Sequence, residues 1–143
     1  MNTPELSDEQ RRRVEHAREA VPFLKLLGIE VESVGPGTAT LLIPVREELM
    51  RNDRIVHGGV MASLIDSAFA FAIIPILGDG ERTVTVDLTI HYLRPLSGGV
   101  AKAVARVVRA GRRVVTVSAE LFDENDKLAA TALSTYLRVS SHG

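Results

Sequence analysis

The stretch from Val60 to Leu77 constrains this chain most: it reads VMASLIDSAFAFAIIPIL, with Asp66 as its one ionisable group. Its length touches the lower limit for a bilayer span. An acidic side chain at mid-bilayer costs about 2.5–3.5 kcal/mol, however, and Ser63, Ser67 and Pro75 interrupt the same run. Small residues and a proline suit a crowded interior. The stretch therefore predicts a long helix, apolar nearly all round and buried inside the protein.

The rest of the chain must supply the wrapping, and its periodicity says how. Ser7 with Gln10 forms a capping-box pattern, and helical spacing of Val14, Ala17 and Val21 predicts a first helix from about Asp8 to Val21. Pro22 opens a short second helix, PFLKLL, which Gly28 ends. From Ile29 the period changes to two. Strands are expected on either side of the turn Gly35-Pro36-Gly37, and the second carries Ala39, Leu41, Ile43 and Val45 on one face. After the helix, Val84, Val86, Leu88, Ile90 and Tyr92 alternate with Thr83, Thr85, Asp87, Thr89 and His91. Three further strands follow, Val100 to Val108, Val114 to Phe122 and Leu128 to Val139, joined by short turns that imply antiparallel neighbours in meander order. The expected architecture is α+β, an antiparallel β-sheet wrapped around a long central helix.

Size and charge bound the function. The chain has 143 residues, enough for one domain over 1–143, with 1–27 as an N-terminal helical segment. A formal net charge of -1 argues against a nucleic-acid partner or an anionic membrane surface. With no cysteine, disulfides, thiolate metal sites and a catalytic thiol are excluded. The charged N-terminus lacks a signal-peptide apolar run, so a soluble, cytoplasmic protein is expected. No spacing of the histidines supports a metal site: His16 and His142 stand in polar or terminal contexts, and His91 falls on the polar side of its strand.

Chemistry concentrates in His57-Gly58-Gly59-Val60-Met61-Ala62-Ser63-Leu64-Ile65-Asp66. Two glycines at a helix start leave backbone N–H groups unshielded, and with the positive end of the dipole they suit an anion or a developing oxyanion. Asp66 is a carboxylate in an apolar helix, which is expensive unless it is hydrogen-bonded or used. Each feature alone has an ordinary structural explanation, as turn chemistry or as a hydrogen-bond partner.

Together, VHGGVMASLIDSA resembles the signature of the PaaI-like acyl-CoA thioesterases of the hotdog superfamily. The likeness extends through PFLKLLGIEV before it and TVTVDLTIHYLRP after it. The resemblance implies a hotdog fold and hydrolysis of an acyl-CoA. It implies that the Gly58 N–H polarises the thioester carbonyl, with His57 adjacent, and that Asp66 of the other subunit activates water or attacks directly. It implies no cofactor. Spacing supports the two-subunit arrangement: Gly58 and Asp66 are eight residues apart, about 12 Å of rise on one helix. One carbonyl cannot meet both within a chain, so a homodimer is expected; a dimer of dimers is expected beyond it, though the sequence does not separate the two.

The chain departs from the family at several positions. An Asn is common six residues before the His; here that position is Arg51, and Asn52, one place later, is the expected substitute. Arg54 stands where glycine is frequent. Thr85 matches a position where some members orient the water with Ser. Arg109, Arg112 and Arg113 bracket a turn and are expected to hold the CoA phosphates, against the alternative of a solvated turn, with Arg94 a weaker contender. For His57 the alternative, an imidazole that holds the loop with no proton transfer, is favoured over a direct catalytic part. Two other functions are weighed. A non-catalytic acyl-CoA sensor gains nothing from keeping Asp66, and a hotdog hydratase needs a differently spaced acid–base pair.

Overall fold

The structure, a computed structural model, describes residues 5–140, so His142 lies outside the described residues. Ser7 caps α1 (Asp8–Ala20): its Oγ accepts from the Gln10 N–H at 3.2 Å, and Gln10 Oε1 accepts from the Ser7 N–H at 2.8 Å. Pro22 opens α2 (Pro22–Leu27), and Gly28 ends it at φ 78° by donating to the Leu24 carbonyl at 2.9 Å. Next come β1 (Glu30–Gly35), β2 (Thr38–Pro44), a 3-10 turn at Glu47–Leu49 and α3 (Gly58–Ile73), which tightens to 3-10 over Ile74–Ile76. The chain closes with β3 (Glu81–Tyr92), β4 (Val100–Ala110), β5 (Val114–Phe122) and β6 (Leu128–Ser140).

All six strands join one antiparallel sheet in the order β1-β2-β4-β5-β6-β3. The meander expectation is corrected here. β3 pairs with β6, and β4 lies beside β2 instead of β3. The connection 93–99 carries the chain across the end of the sheet, tied down as Leu93 donates to Ala129, Val56 donates to the Leu96 carbonyl and Val45 donates to that of Gly99. Pro95 and the Gly98-Gly99 pair, with Gly99 at φ 67°, suit a crossing segment as well as a hairpin. Sequence alone does not separate the two. The crossing leaves β3 at one edge of the sheet.

The sheet curls around α3. Leu64, Ile65, Ala68, Phe69, Ala72 and Ile73 are fully buried against inward residues such as Leu41, Ile43, Val115, Val117 and Leu121. Ala101, Ala103 and Ala105 of β4 let the helix approach closely. Burying one such Leu or Phe side chain contributes about 1.5–3 kcal/mol. The segment Gly58–Ile76 is long and apolar enough to cross a bilayer by length and composition, yet half of it is buried within this chain. The carbonyls at its C-terminal end are capped from other elements. Gln10 donates to that of Pro75 at 2.9 Å, Arg13 to that of Leu77, and Arg138 to that of Ile76 at 3.4 Å.

Burial of α3 on all sides is not what the single chain displays. Ala62, Ser63, Asp66 and Ala70 are only partly covered, and Gly59 is exposed. At 100° per residue these positions fall in one stripe of small residues, on the side that meets β3.

The strict alternation expected in β3 is also corrected. Thr85 pairs with Tyr136 and Asp87 with Thr135, so Val86 is the extra residue of a bulge. Before the bulge Thr85 faces the helix; after it Leu88, Ile90 and Tyr92 do. Val84 and Val86, expected on that face, are 41% and 55% exposed.

Candidate active site

α3 presents two chemically distinct places. At its start, His57 is the N-cap, and its Nδ1 accepts from the Gly59 N–H at 2.8 Å. That bond assigns the imidazole proton to Nε2. The His57 carbonyl takes the Val60 N–H at 2.9 Å. The Gly58 N–H has no acceptor among the described residues. It points from the positive end of the helix and is available to a ligand. The ring of Tyr92 packs on Gly58, and its hydroxyl donates to the Gly58 carbonyl at 2.9 Å.

The preceding loop shapes the approach. Arg51 donates its N–H to the Ile55 carbonyl at 2.7 Å, and Met50 bridges Val56. Arg54 has φ 65°, the left-handed region glycine favours, so the turn keeps that geometry with an arginine in it. A cavity of about 420 Å³ opens beside Gly58, with apolar walls from Ile55, Val56, Met61, Leu93 and Pro95 and with Arg51, Tyr92 and Arg94 around them. Arg51 lines this cavity; Asn52 does not and sits exposed on the turn.

Asp66 lies just over two turns along the helix, and two strands reach it. The Tyr136 hydroxyl donates to Asp66 Oδ1 and also lies 3.1 Å from the Asp66 carbonyl; the Thr85 hydroxyl donates to Oδ1 at 3.3 Å. Oδ2 has no partner among the described residues. Tyr136 is 2% exposed and packs edge-on to Phe69, with ring centroids 6.2 Å apart. Burial first, then the Asp66 carboxylate, push its phenol well above the ordinary tyrosine range, so it remains a donor.

Sequence reasoning missed Tyr136 and Tyr92 as site residues. A signal for Tyr136 was present: it continues the inward series Ala130, Ala132, Ser134, and a buried phenol needs a partner for its O–H. Tyr92 was read only as the end of an apolar strand face.

Arg109, Arg112 and Arg113 are exposed at the β4–β5 turn, and none of them makes an ion pair among the described residues. The turn is closed by Gly111 donating to the Val114 carbonyl at 2.8 Å. It lies past Leu137, which pairs with both Val84 and Val114, at the Thr85 end of the sheet. Gly58 touches Tyr92, at the other end of β3. From Thr85 to Tyr92 is six ladder steps across the bulge, already roughly 20 Å along a strand, so within one chain the arginines accompany Asp66 and not Gly58. His16 lies beside a separate cleft between α1 and the start of β3, and His91 is exposed. No group of three or more metal-ligating side chains occurs among the described residues.

Comparison with known proteins identifies the family. Residues 54–130 match the family described as the Thioesterase superfamily. The medium/long-chain acyl-CoA thioesterase YigI of Escherichia coli is 30% identical over 132 residues, covering 82% of this chain and 85% of that protein. Among solved structures, the conserved protein PA5202 from Pseudomonas aeruginosa is 32% identical with a TM-score of 0.79, covering 83% of this chain and 94% of that one. The E. coli PaaI protein of the phenylacetic acid degradation operon is 27% identical with a TM-score of 0.86, covering 95% and 97%. The chain belongs to the thioesterase superfamily, with the hotdog fold and a thioester hydrolase activity.

Proposed function

We propose that the chain hydrolyses an acyl-CoA at a site shared by two copies, with Asp66 of one and Gly58 of the other. The observation that carries this reading is the pair of free groups on α3. The Gly58 N–H and Asp66 Oδ2 both lack partners among the described residues, yet they sit eight residues apart on one rigid helix. A helix rises about 12 Å over that interval, while reacting groups must lie about 3 Å from their targets.

A second copy resolves the distance. The stripe of small residues around Asp66 leaves room for a neighbouring helix, and the adjacent β3 is an edge strand among the described residues, with one side open to pairing. A two-fold axis beside that edge sets two α3 helices antiparallel. Each Asp66 then faces Gly58 of the partner subunit, and two equivalent sites form.

The chemistry follows from the groups. The Gly58 N–H at the helix start stabilises negative charge developing on the thioester oxygen. Water adds to the carbonyl carbon as its proton passes to Asp66 Oδ2. Collapse of the tetrahedral intermediate breaks the C–S bond, and the CoA thiolate takes the proton from Asp66 as it leaves. Direct attack by Oδ2 would instead break the C–S bond and expel the CoA thiolate, which takes a proton from solvent. It leaves an acyl-aspartyl anhydride that water opens to the free acid and Asp66. Arg109, Arg112 and Arg113 stand on Asp66's side and suit the phosphates of the CoA nucleotide. Thr85 and His57 serve by holding Asp66 and the helix start respectively.

The experiment is release of free thiol from aromatic, short-chain and medium-chain acyl-CoAs. Wild-type protein should turn over at least one class, and Asp66→Asn should still bind it while kcat falls roughly 10²–10⁴-fold. Binding without turnover by the wild type, or an unchanged rate in the variant, contradicts the proposal.

A further inference from the structure

Asp66 is the one ionisable group on α3, and two hydroxyls from adjacent strands converge on one of its oxygens. Thr85 and Tyr136 are a directly opposed pair across β3 and β6, so both face the helix at the same level. A buried tyrosine can satisfy its O–H on any nearby carbonyl, and the Asp66 main-chain carbonyl stands within reach at 3.1 Å. The carboxylate is the better acceptor because it carries charge. Phe69, edge-on to the phenol ring, fixes where the hydroxyl points.

We infer that Tyr136 is a positioning residue for the reaction: with Thr85 it occupies Oδ1 of Asp66, leaving Oδ2 as the only free basic oxygen and setting its direction toward the open side of α3. The inference rests on the reading of Asp66 as the base or nucleophile. An unheld aspartate rotates about its terminal torsion and offers either oxygen in many directions. Held at Oδ1, it offers one oxygen in one direction, the condition for a near-attack geometry. Tyr136 is not itself a proton carrier. The residue is 2% exposed, and burial with the Asp66 carboxylate alongside keeps the phenol protonated.

The test is Tyr136→Phe, which removes one oxygen and keeps the ring on Phe69. For the folded dimer, kcat should fall about 10- to 100-fold, the scale of one hydrogen bond to a charged group, while KM stays within about threefold. In an Asp66→Asn background the same change should have little further effect, because the oxygen that it positions no longer acts as a base. A wild-type kcat, or an equal loss in both backgrounds, overturns the inference. Neither result would restore activity to Asp66→Asn, so the assignment of Asp66 stands or falls separately. If Tyr136→Phe does not fold, the hydroxyl proton of Tyr136 can be followed by NMR in protein that keeps the tyrosine. It should move upfield in Asp66→Asn, and an unmoved resonance overturns the inference.

Discussion

Thr85 and Asp87 flank a one-residue bulge and point to opposite faces of β3, Thr85 onto Asp66 and Asp87 onto the backbone of β6. Asp87 Oδ1 accepts the Thr135 N–H at 2.8 Å, and the Asp87 carbonyl accepts from the Ser134 hydroxyl at 2.5 Å. The side chain thus replaces a ladder bond that the bulge removes. Asp87→Ala leaves the Thr135 N–H unpaired and should cost about 1–2 kcal/mol in denaturant unfolding. Asp87→Asn, whose amide oxygen still accepts, should lose less. An unchanged midpoint in Asp87→Ala would show that the bulge is held by something else.

The arginine turn makes a kinetic prediction. Contacts to the CoA phosphates are largely uniform binding, equal in ground and transition states. Arg112→Ala and Arg113→Ala should therefore raise KM for an acyl-CoA more than they lower kcat. They should matter little for the matching acyl-pantetheine, which lacks the nucleotide. Equal effects on both substrates would assign the arginines to the turn alone.

Acid stability tests the cap on the far end of α3. Arg138 donates to Glu81 at 2.7 Å and, ahead of the Gly78 N–H, holds the Glu81 carboxyl below its ordinary value of 4.5. A folded value below the unfolded one stabilises the protein fully above about pH 4.5. That contribution is lost as pH falls through the lower folded value. Glu81→Gln should flatten this part of the stability profile, measured as the denaturant midpoint against pH. A profile as steep as that of wild type would contradict the pairing.

Much of the fold was legible because local rules decide it. The capping box at Ser7, the proline opening α2, the glycine at φ 78° and the runs of period two each act within a few residues. Strand order was not. A turn containing Pro95 and Gly99 serves a hairpin or a crossing equally, and the choice lies with the distant partner β6. The bulge at Val86 was hidden for a related reason: TVTVDLTIHY alternates without a break, so only pairing reveals the extra residue. At the site, His57 and Gly58 stood out at the start of an apolar helix, and Asp66 as the one ionisable group within it. Tyr136 did not, because its hydrogen bond is to Asp66, seventy positions earlier in the chain.

The central claim is that one site needs two chains, and subunit mixing tests it most directly. Gly58→Pro deletes the N–H and fits its position. It is the first helical residue, where proline is tolerated, and His57 before it is already extended at φ -61° and ψ 133°. Folded dimers of Gly58→Pro and of Asp66→Asn should each be nearly inactive. When the two are mixed and allowed to exchange, each mixed dimer holds one site with both defects and one with neither. Random pairing makes about half of the dimers mixed, so about a quarter of wild-type activity should return. No recovery from exchanging, well-folded parents would place the whole site within one chain and contradict the account.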